Sequence, residues 1–216
     1  MSSHNLIEAA LARLQVKGKQ TDKQQQILDA AVRIFAEKGY AAASTSEIAK
    51  AAGVAEGTIF RHYGTKENLL LAVLVPFLME AAPVIADELV HDVLIPPHDS
   101  LASFLRALII NRLAFLEANR EIFKILVMEL LHRDDLRQQF FGMFQKRVLK
   151  HLYTVIEVYR ERGEVADIPA EAIVELAGTY LFGYFFSRFA LLPGQPLNHE
   201  AEADRMVGFI LRGIGG

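Results

Sequence analysis

An all-α fold follows from three features of the 216-residue sequence. Apolar residues make up 52% of the chain and charged residues 23%, which excludes a disordered or collagen-like chain and predicts extensive burial. Those apolar residues recur at helical rather than alternating spacing. The seven prolines are few, and no strand–helix–strand pattern, glycine-rich phosphate loop or internal repeat is present. With no cysteine, a disulfide framework, a zinc finger and a thiolate nucleophile are excluded. Residues 1–14 carry His4, Glu8 and Arg13 among their apolar positions and lack the plan of a secretory signal, so a cytoplasmic location is expected. Two apolar stretches, 69–86 and 176–192, are interrupted by Pro76, Glu80 and Pro83 and by Thr179, Ser187 and Arg188 respectively. Both are therefore expected to be buried helices, with no membrane partner.

In chain order, residues 1–20 form an extension. Leu6, Ala10, Leu11 and Leu14 make a short amphipathic stretch, followed by the basic Lys17 and Lys19, which are either solvated charge or a DNA-contacting arm together with Lys23. A helix over 23–38 is predicted by Ile27, Ala31, Ile34 and Phe35, with Thr21 and Gln24 as a capping box and Gly39 beyond its end. Ser44 and Glu47 form a second capping box for a short helix through Ile48, Ala49 and Ala52, stopped by Gly53. After the turn at 53–55 a second short helix covers 56–63, and Thr65 is placed to cap a longer helix from Lys66. Two short helices joined by a three-residue, glycine-containing turn make a helix-turn-helix, whose second helix enters a DNA major groove. Ile48, Ala52, Val54 and Ile59 are spaced to pack against Phe35 and Tyr40, leaving Thr45, Ser46, Thr58, Arg61 and His62 outward. These are donors suited to phosphate oxygens and base edges, and Gly57 lets the backbone approach DNA without a Cβ in the way. Residues 1–70 hold nine Lys and Arg against seven Asp and Glu, a net +2, whereas the remainder of the chain is at −5. A polyanion surface therefore belongs at the N-terminal end.

The segment from Ser44 through Gly53-Val54-Ala55-Glu56-Gly57-Thr58-Ile59-Phe60-Arg61-His62-Tyr63 to Leu70, with Ile27 to Tyr40 before it, resembles the DNA-binding domain of the tetracycline-repressor (TetR) family. The resemblance implies that Thr45 and Ser46 sit at the DNA backbone, that Gly57, Thr58, Phe60 and Arg61 line the recognition helix, and that His62 and Lys66 take phosphates. Lys66 also adds charge to a helix start, where free N–H groups attract anions. Two departures from the family pattern stand out: Ala55 replaces the usual serine cap of the recognition helix, and Phe60 replaces a tyrosine whose hydroxyl commonly binds phosphate. Tyr63 stands at a position usually held by a core phenylalanine, so packing is its first expectation.

Beyond Lys66 the sequence reads as helices over 66–79, with Pro76 kinking or ending the first, then 83–93, 101–118, 121–132, 135–162 ended by Gly163, 170–191 and 199–211. Ala203, Met206, Val207, Ile210, Leu211 and Ile214 form a helical stripe, and small Ala177 and Gly178 permit close approach on the preceding, nearly all-apolar helix. An intramolecular core or a partner surface satisfies both. The resemblance favours the second, a four-helix interface in a homodimer that matches a palindromic operator. It also implies a small-molecule cavity, for which Phe77, Leu105, Leu108, Phe115, Met128, Phe140, Phe144, Tyr180 and Tyr184 are candidate walls, although such residues more often form plain core. Arg112 shares a helix face with Leu105, Leu108, Phe115 and Leu116. A buried cation there wants a carboxylate, internal or supplied by an acidic ligand, unless the side chain snorkels to water.

The expected organisation is an extension (1–20), a helix-turn-helix domain (21–66) and a helical effector-binding and dimerisation domain (67–216). The expected function is a DNA-binding transcriptional regulator, a repressor released from its operator by an apolar effector. A DNA-bound protein that recruits another protein without an effector shares the same reading head. An enzyme is disfavoured, because His98, His132, His151 and His199 form no nucleophile–base or metal-ligand spacing and the Glu129–His132 pair has no counterpart on another helix. Neither a cofactor nor a metal is expected.

Overall fold

The computed structural model describes residues 21–192 and 196–214. The amphipathic stretch and basic run expected within 1–20, and residues 193–195, lie outside the described residues. Among the described residues every regular element is helical, and the chain divides into two compact units.

The first unit comprises residues 21–82 and 121–140. Helix α1 (Asp22–Lys38) starts where the Thr21 side chain accepts from the Gln24 N–H and Gln24 returns a hydrogen bond to Thr21, and it ends at Gly39, whose φ of 79° suits glycine. Ile27, Leu28, Ala31 and Phe35 line its buried face. Helices α2 (Thr45–Ala51) and α3 (Glu56–Tyr63) flank Gly53, at φ 66°. The Ser44–Glu47 capping box opens α2, whereas no side chain caps α3 at Ala55. Thr65 caps α4 (Lys66–Pro76) by accepting from the Asn68 N–H. All seven residues from Leu69 to Val75 are buried. The helical run Lys66–Leu94 is long and apolar enough to cross a membrane, yet more than half of its most apolar window is buried inside the protein. Helix α7 (Arg120–His132) and the start of α8 (Asp134–Phe144) add Ile125, Leu126 and Leu136 to the core made by α1–α4. This unit thus takes in more of the chain than the 21–66 domain expected from sequence.

Pro76 is the last residue of α4, and the helical run continues beyond it in a different hydrogen-bond pattern. Lacking an N–H, it cannot donate to Ala72, and the ladder readjusts: the Phe77 N–H bonds Leu74 and the Ala82 N–H reaches five residues back to Phe77. The result is a π turn at Phe77–Ala81 leading into α5 (Ala82–Leu89), and a further π turn follows at Val90–Leu94. The long helix expected over 135–162 is likewise α8 and α9 (Lys150–Glu161) joined through a π turn at Gln145–Leu149.

The second unit comprises residues 83–120 and the described part of the chain from Phe141. Its central helix is α6 (Leu101–Ala118), opened by a Ser100–Ser103 capping box and by the Glu164 carboxylate, which accepts from the Leu101 N–H at 2.7 Å. An anion at a helix N-terminus is electrostatically favoured. Helix α10 (Ala170–Phe186) continues into a π turn at Ser187–Leu191, and α11 (His199–Ile214) lies on α6. Arg106 of α6 pairs with Asp204 at 2.7 Å and Glu200 at 3.5 Å, while Glu117 meets His199 at 2.8 Å, so both ends of α6 contact the first turns of α11.

This packing corrects the expected partner surface. Ala203, Met206, Val207 and Ile210 are buried within the single chain, Leu211 and Ala177 are half-buried, and only Gly178 of that set is exposed; the side chain of Ile214 is outside the description. A helical stripe reports that a face is covered, not by what. The exposed apolar side chains are instead Leu176 and Phe182 on α10 and Phe209 on α11. Phe182 stacks on Phe186 and Phe209 on Tyr180, with ring centroids 6.1 and 4.7 Å apart.

Candidate nucleic-acid interface

Ile59 is fully buried and pins one side of α3 to the core, which turns Gly57, Phe60 and Arg61 to the surface and leaves Thr58 half-exposed. Ser46 is exposed on α2. Helical spacing places Gly57, Thr58, Phe60 and Arg61 on one arc of a short helix, whereas Thr45 and His62, expected outward, are half-buried. Phe60 remains 46% exposed. A Cβ built on Gly57 would meet nothing within 4 Å, so the chain's own packing does not require glycine there.

Other side chains hold this surface in place. The Thr45 hydroxyl donates to Glu56 at 2.6 Å, tying the first turns of α2 and α3 together. Thr45 is therefore occupied within the helix-turn-helix. Lys38 and Glu47 meet at 2.6 Å across α1 and α2; their hydrogen bond raises the ammonium's pKa and lowers the carboxylate's. Asn68 donates to the Tyr63 carbonyl at 2.9 Å and closes the end of α3. Tyr63 packs on the core, its hydroxyl 3.4 Å from the Gln24 carbonyl, and burial pushes its phenol up to about 12. His62 is half-buried, its ring 6.3 Å from that of Tyr63.

Lys66 departs most from expectation. Its ammonium donates to the carbonyls of Tyr40 and Ala43, both at 2.9 Å, and of Ala41 at 3.4 Å, and it lies 4.5 Å from the Tyr40 ring centroid. Three N–H groups meet three acceptors, so this lysine holds the turn between α1 and α2. A sequence motif records that a lysine is present and not which acceptors lie within reach. Glu56 and Asn68 were not foreseen, although Asn68, three residues after a helix-capping Thr65, carried a local signal.

The candidate effector residues do not share one unit. Phe77 and Phe140 pack on the first unit's core, where Met128 is 38% exposed. Leu105, Leu108, Arg112, Phe115, Phe144, Tyr180 and Tyr184 belong to the second. Of these Leu105 is buried and the others half-buried. The Tyr184 hydroxyl donates to Glu202 at 2.7 Å. Burial and that bond push its phenol up to about 12. Glu129 is buried while His132 is exposed, and among the described residues no group of three or more His, Asp or Glu converges to hold a metal.

Residues 27–73 match the family described as bacterial regulatory proteins, tetR family. The HTH-type transcriptional repressor AcnR of Corynebacterium glutamicum is 47% identical over 55 residues, 26% of this chain and 29% of that protein. The chain spans less than half the length of the curated relatives it first matches. Whole-chain similarity comes from folds. PfmR from Thermus thermophilus, a TetR-family transcriptional regulator, superposes with a TM-score of 0.66 at 20% identity, covering 86% of this chain and 97% of that one. FadR from Bacillus subtilis in complex with stearoyl-CoA gives 0.58 at 24% identity, covering 88% and 98%.

Proposed function

Residues 27–73 make this chain a member of the tetR family of bacterial regulatory proteins, and we propose that it is a transcriptional repressor. In this reading a homodimer binds a palindromic DNA operator, in the cytoplasm, and a small lipophilic effector held by the second unit releases it. The observation that carries the DNA-binding part is the outer face of α3, where Gly57, Thr58, Phe60 and Arg61 stand clear of a core anchored by Ile59. Thr58 and Arg61 are assigned to base edges, Ser46 and His62 to backbone phosphates, and Gly57 to close approach. Thr45 and Lys66 take a supporting role, holding the two helices and the preceding turn.

Two-fold pairing is assigned to the exposed face of α10 and α11, with Leu176, Gly178, Phe182 and Phe209 at its centre. An isologous interface of this kind presents two reading heads to two half-sites. The lipophilic effector is supported by the apolar, phenylalanine-rich interior and by the stearoyl-CoA complex of a protein with the same fold. An effector that prefers the dimer unable to span both half-sites lowers operator affinity by population shift alone.

The test is selection of binding sites from a random duplex library by the full-length protein at near-physiological salt. An enriched palindrome with two half-sites is the expected result. No enriched sequence, or a single undivided site, would overturn the dimeric-repressor reading.

A further inference from the structure

Several arginines of the second unit have charged or backbone partners: Arg120 donates to the Phe189 carbonyl and Arg162 to the His98 carbonyl. Arg147 and Arg205 at the surface, and the half-exposed Arg106 and Arg160, each contact a carboxylate, of Asp87, Glu202, Asp204 and Glu157 respectively. The half-buried Arg112 contacts neither a carboxylate nor a backbone carbonyl among the described residues. Its hydrogen bonds run from Nε and Nη2 to one acceptor, the neutral amide oxygen of the adjacent Asn111, at 2.9 and 2.5 Å. The guanidinium carbon lies 5.0 Å from the Phe115 ring centroid. The acidic group acting on it is Glu88, exposed on α5, through the field alone. Burial pushes the guanidinium down to about 10, which leaves it charged at neutral pH.

A half-buried guanidinium whose side-chain hydrogen bonds go only to a neutral amide retains donors for an anion. The surroundings describe the rest of that anion. Leu108 and Phe115, four residues before and three after Arg112 on α6, are half-buried and share its face, with Leu105 and Leu116 buried on the same side. Asn111 orients the guanidinium through its oxygen, which leaves both Nη1 protons, the second Nη2 proton and its own amide N–H groups as donors. Planar paired donors above an aromatic ring match a carboxylate.

We propose that Arg112 and Asn111 form the head-group subsite for the effector, and that the effector is a lipophilic carboxylic acid bound as its anion. The proposal rests on the effector-released repressor described above and narrows its ligand class. Arg112 binds the carboxylate, Asn111 positions the guanidinium and donates the next hydrogen bond, and Leu108 and Phe115 accept the adjoining hydrocarbon.

The probes are dodecanoate and dodecan-1-ol, titrated calorimetrically into the full-length protein and into Arg112→Met and Arg112→Lys. Wild type is expected to prefer the acid at least tenfold. Arg112→Met should abolish that preference while still binding the alcohol, and Arg112→Lys should retain part of it. Thermal melts establish that each variant folds, and the lysine variant keeps the test decisive if the methionine variant does not. Equal affinity for acid and alcohol in wild type, no binding of the acid, or an unchanged preference in Arg112→Met would each overturn the assignment. Operator release is read in parallel with the two probes and a panel of neutral lipophiles. Release by neutral compounds without an acid preference overturns the Arg112 subsite and leaves the repressor reading standing, whereas release by none of them overturns both.

Discussion

Lys66 stands where a phosphate contact is expected, yet its ammonium is spent on the carbonyls of Tyr40, Ala41 and Ala43. Replacing it with methionine leaves part-buried carbonyls without a donor, which costs about 1–3 kcal/mol of stability. A chemical denaturation midpoint measures that loss. The dependence of operator affinity on salt should keep its slope, because removing a true phosphate contact lowers it by about one. A reduced slope would mean that DNA draws this lysine away from the turn. Thr58→Ala and Arg61→Ala should behave differently. Each is expected to relax base preference at one position of both half-sites by about 1–3 kcal/mol, read from repeated site selection with the variant proteins. Arg61→Ala that loses affinity with unchanged preference moves Arg61 to the phosphate class.

At the scale of elements, α3 is the least supported helix of the reading head, since Ala55 offers its N-terminus no side-chain acceptor. Ala55→Ser is expected to stabilise the protein by about 0.5–2 kcal/mol in the same denaturation measurement. Helices α10 and α11 divide the roles that their sequences share. Met206→Ala opens a cavity beneath α11, where Met206 is fully buried, and should cost about 2–5 kcal/mol without changing the oligomer's mass. Phe182→Arg alters a residue that is 52% exposed and should produce a 24.1 kDa monomer by light scattering while leaving the fold intact. A dimer that survives Phe182→Arg places the interface elsewhere. The helices themselves were legible from local chemistry. The Thr21–Gln24 and Ser44–Glu47 boxes, the glycines at 39, 53 and 64, and the Ser100 start all act within four residues. The π turns were not legible, because they express how a long helix accommodates its neighbours and, after Pro76, a missing donor.

For the molecule as a whole, the buried Glu129 sets an expected pH dependence. Desolvation raises its pKa above the usual carboxylate value, with Arg133 and His132 opposing in part. A raised carboxylate favours folding while protonated, so its contribution is full below the unfolded-state pKa and is lost as pH rises through the folded one. Glu129→Gln should therefore raise the thermal midpoint at pH 7 relative to wild type, with the difference shrinking towards pH 4. A variant that is less stable at pH 7 would show that the carboxylate's charge is used. The same buried region holds Arg133, which meets Glu67 at 3.1 Å and Asp135 at 3.6 Å, so the ionised state of Glu129 is bound up with a charged group the core already contains.

The sequence by itself determined the fold class and most helix boundaries to within a few residues. Capping, turn formation and amphipathic spacing are decided by residues close together in the chain. Only the tertiary structure decided the rest. It turned the stripe of α11 inward onto α6, assigned Lys66 to backbone carbonyls and Thr45 to Glu56, drew residues 121–140 into the unit of the reading head, and left Arg112 without a carboxylate among the described residues. Periodicity specifies that a face is buried and a motif specifies which side chain is present. Which atoms then satisfy them depends on residues distant in sequence, as Arg106 and Asp204 do across α6 and α11.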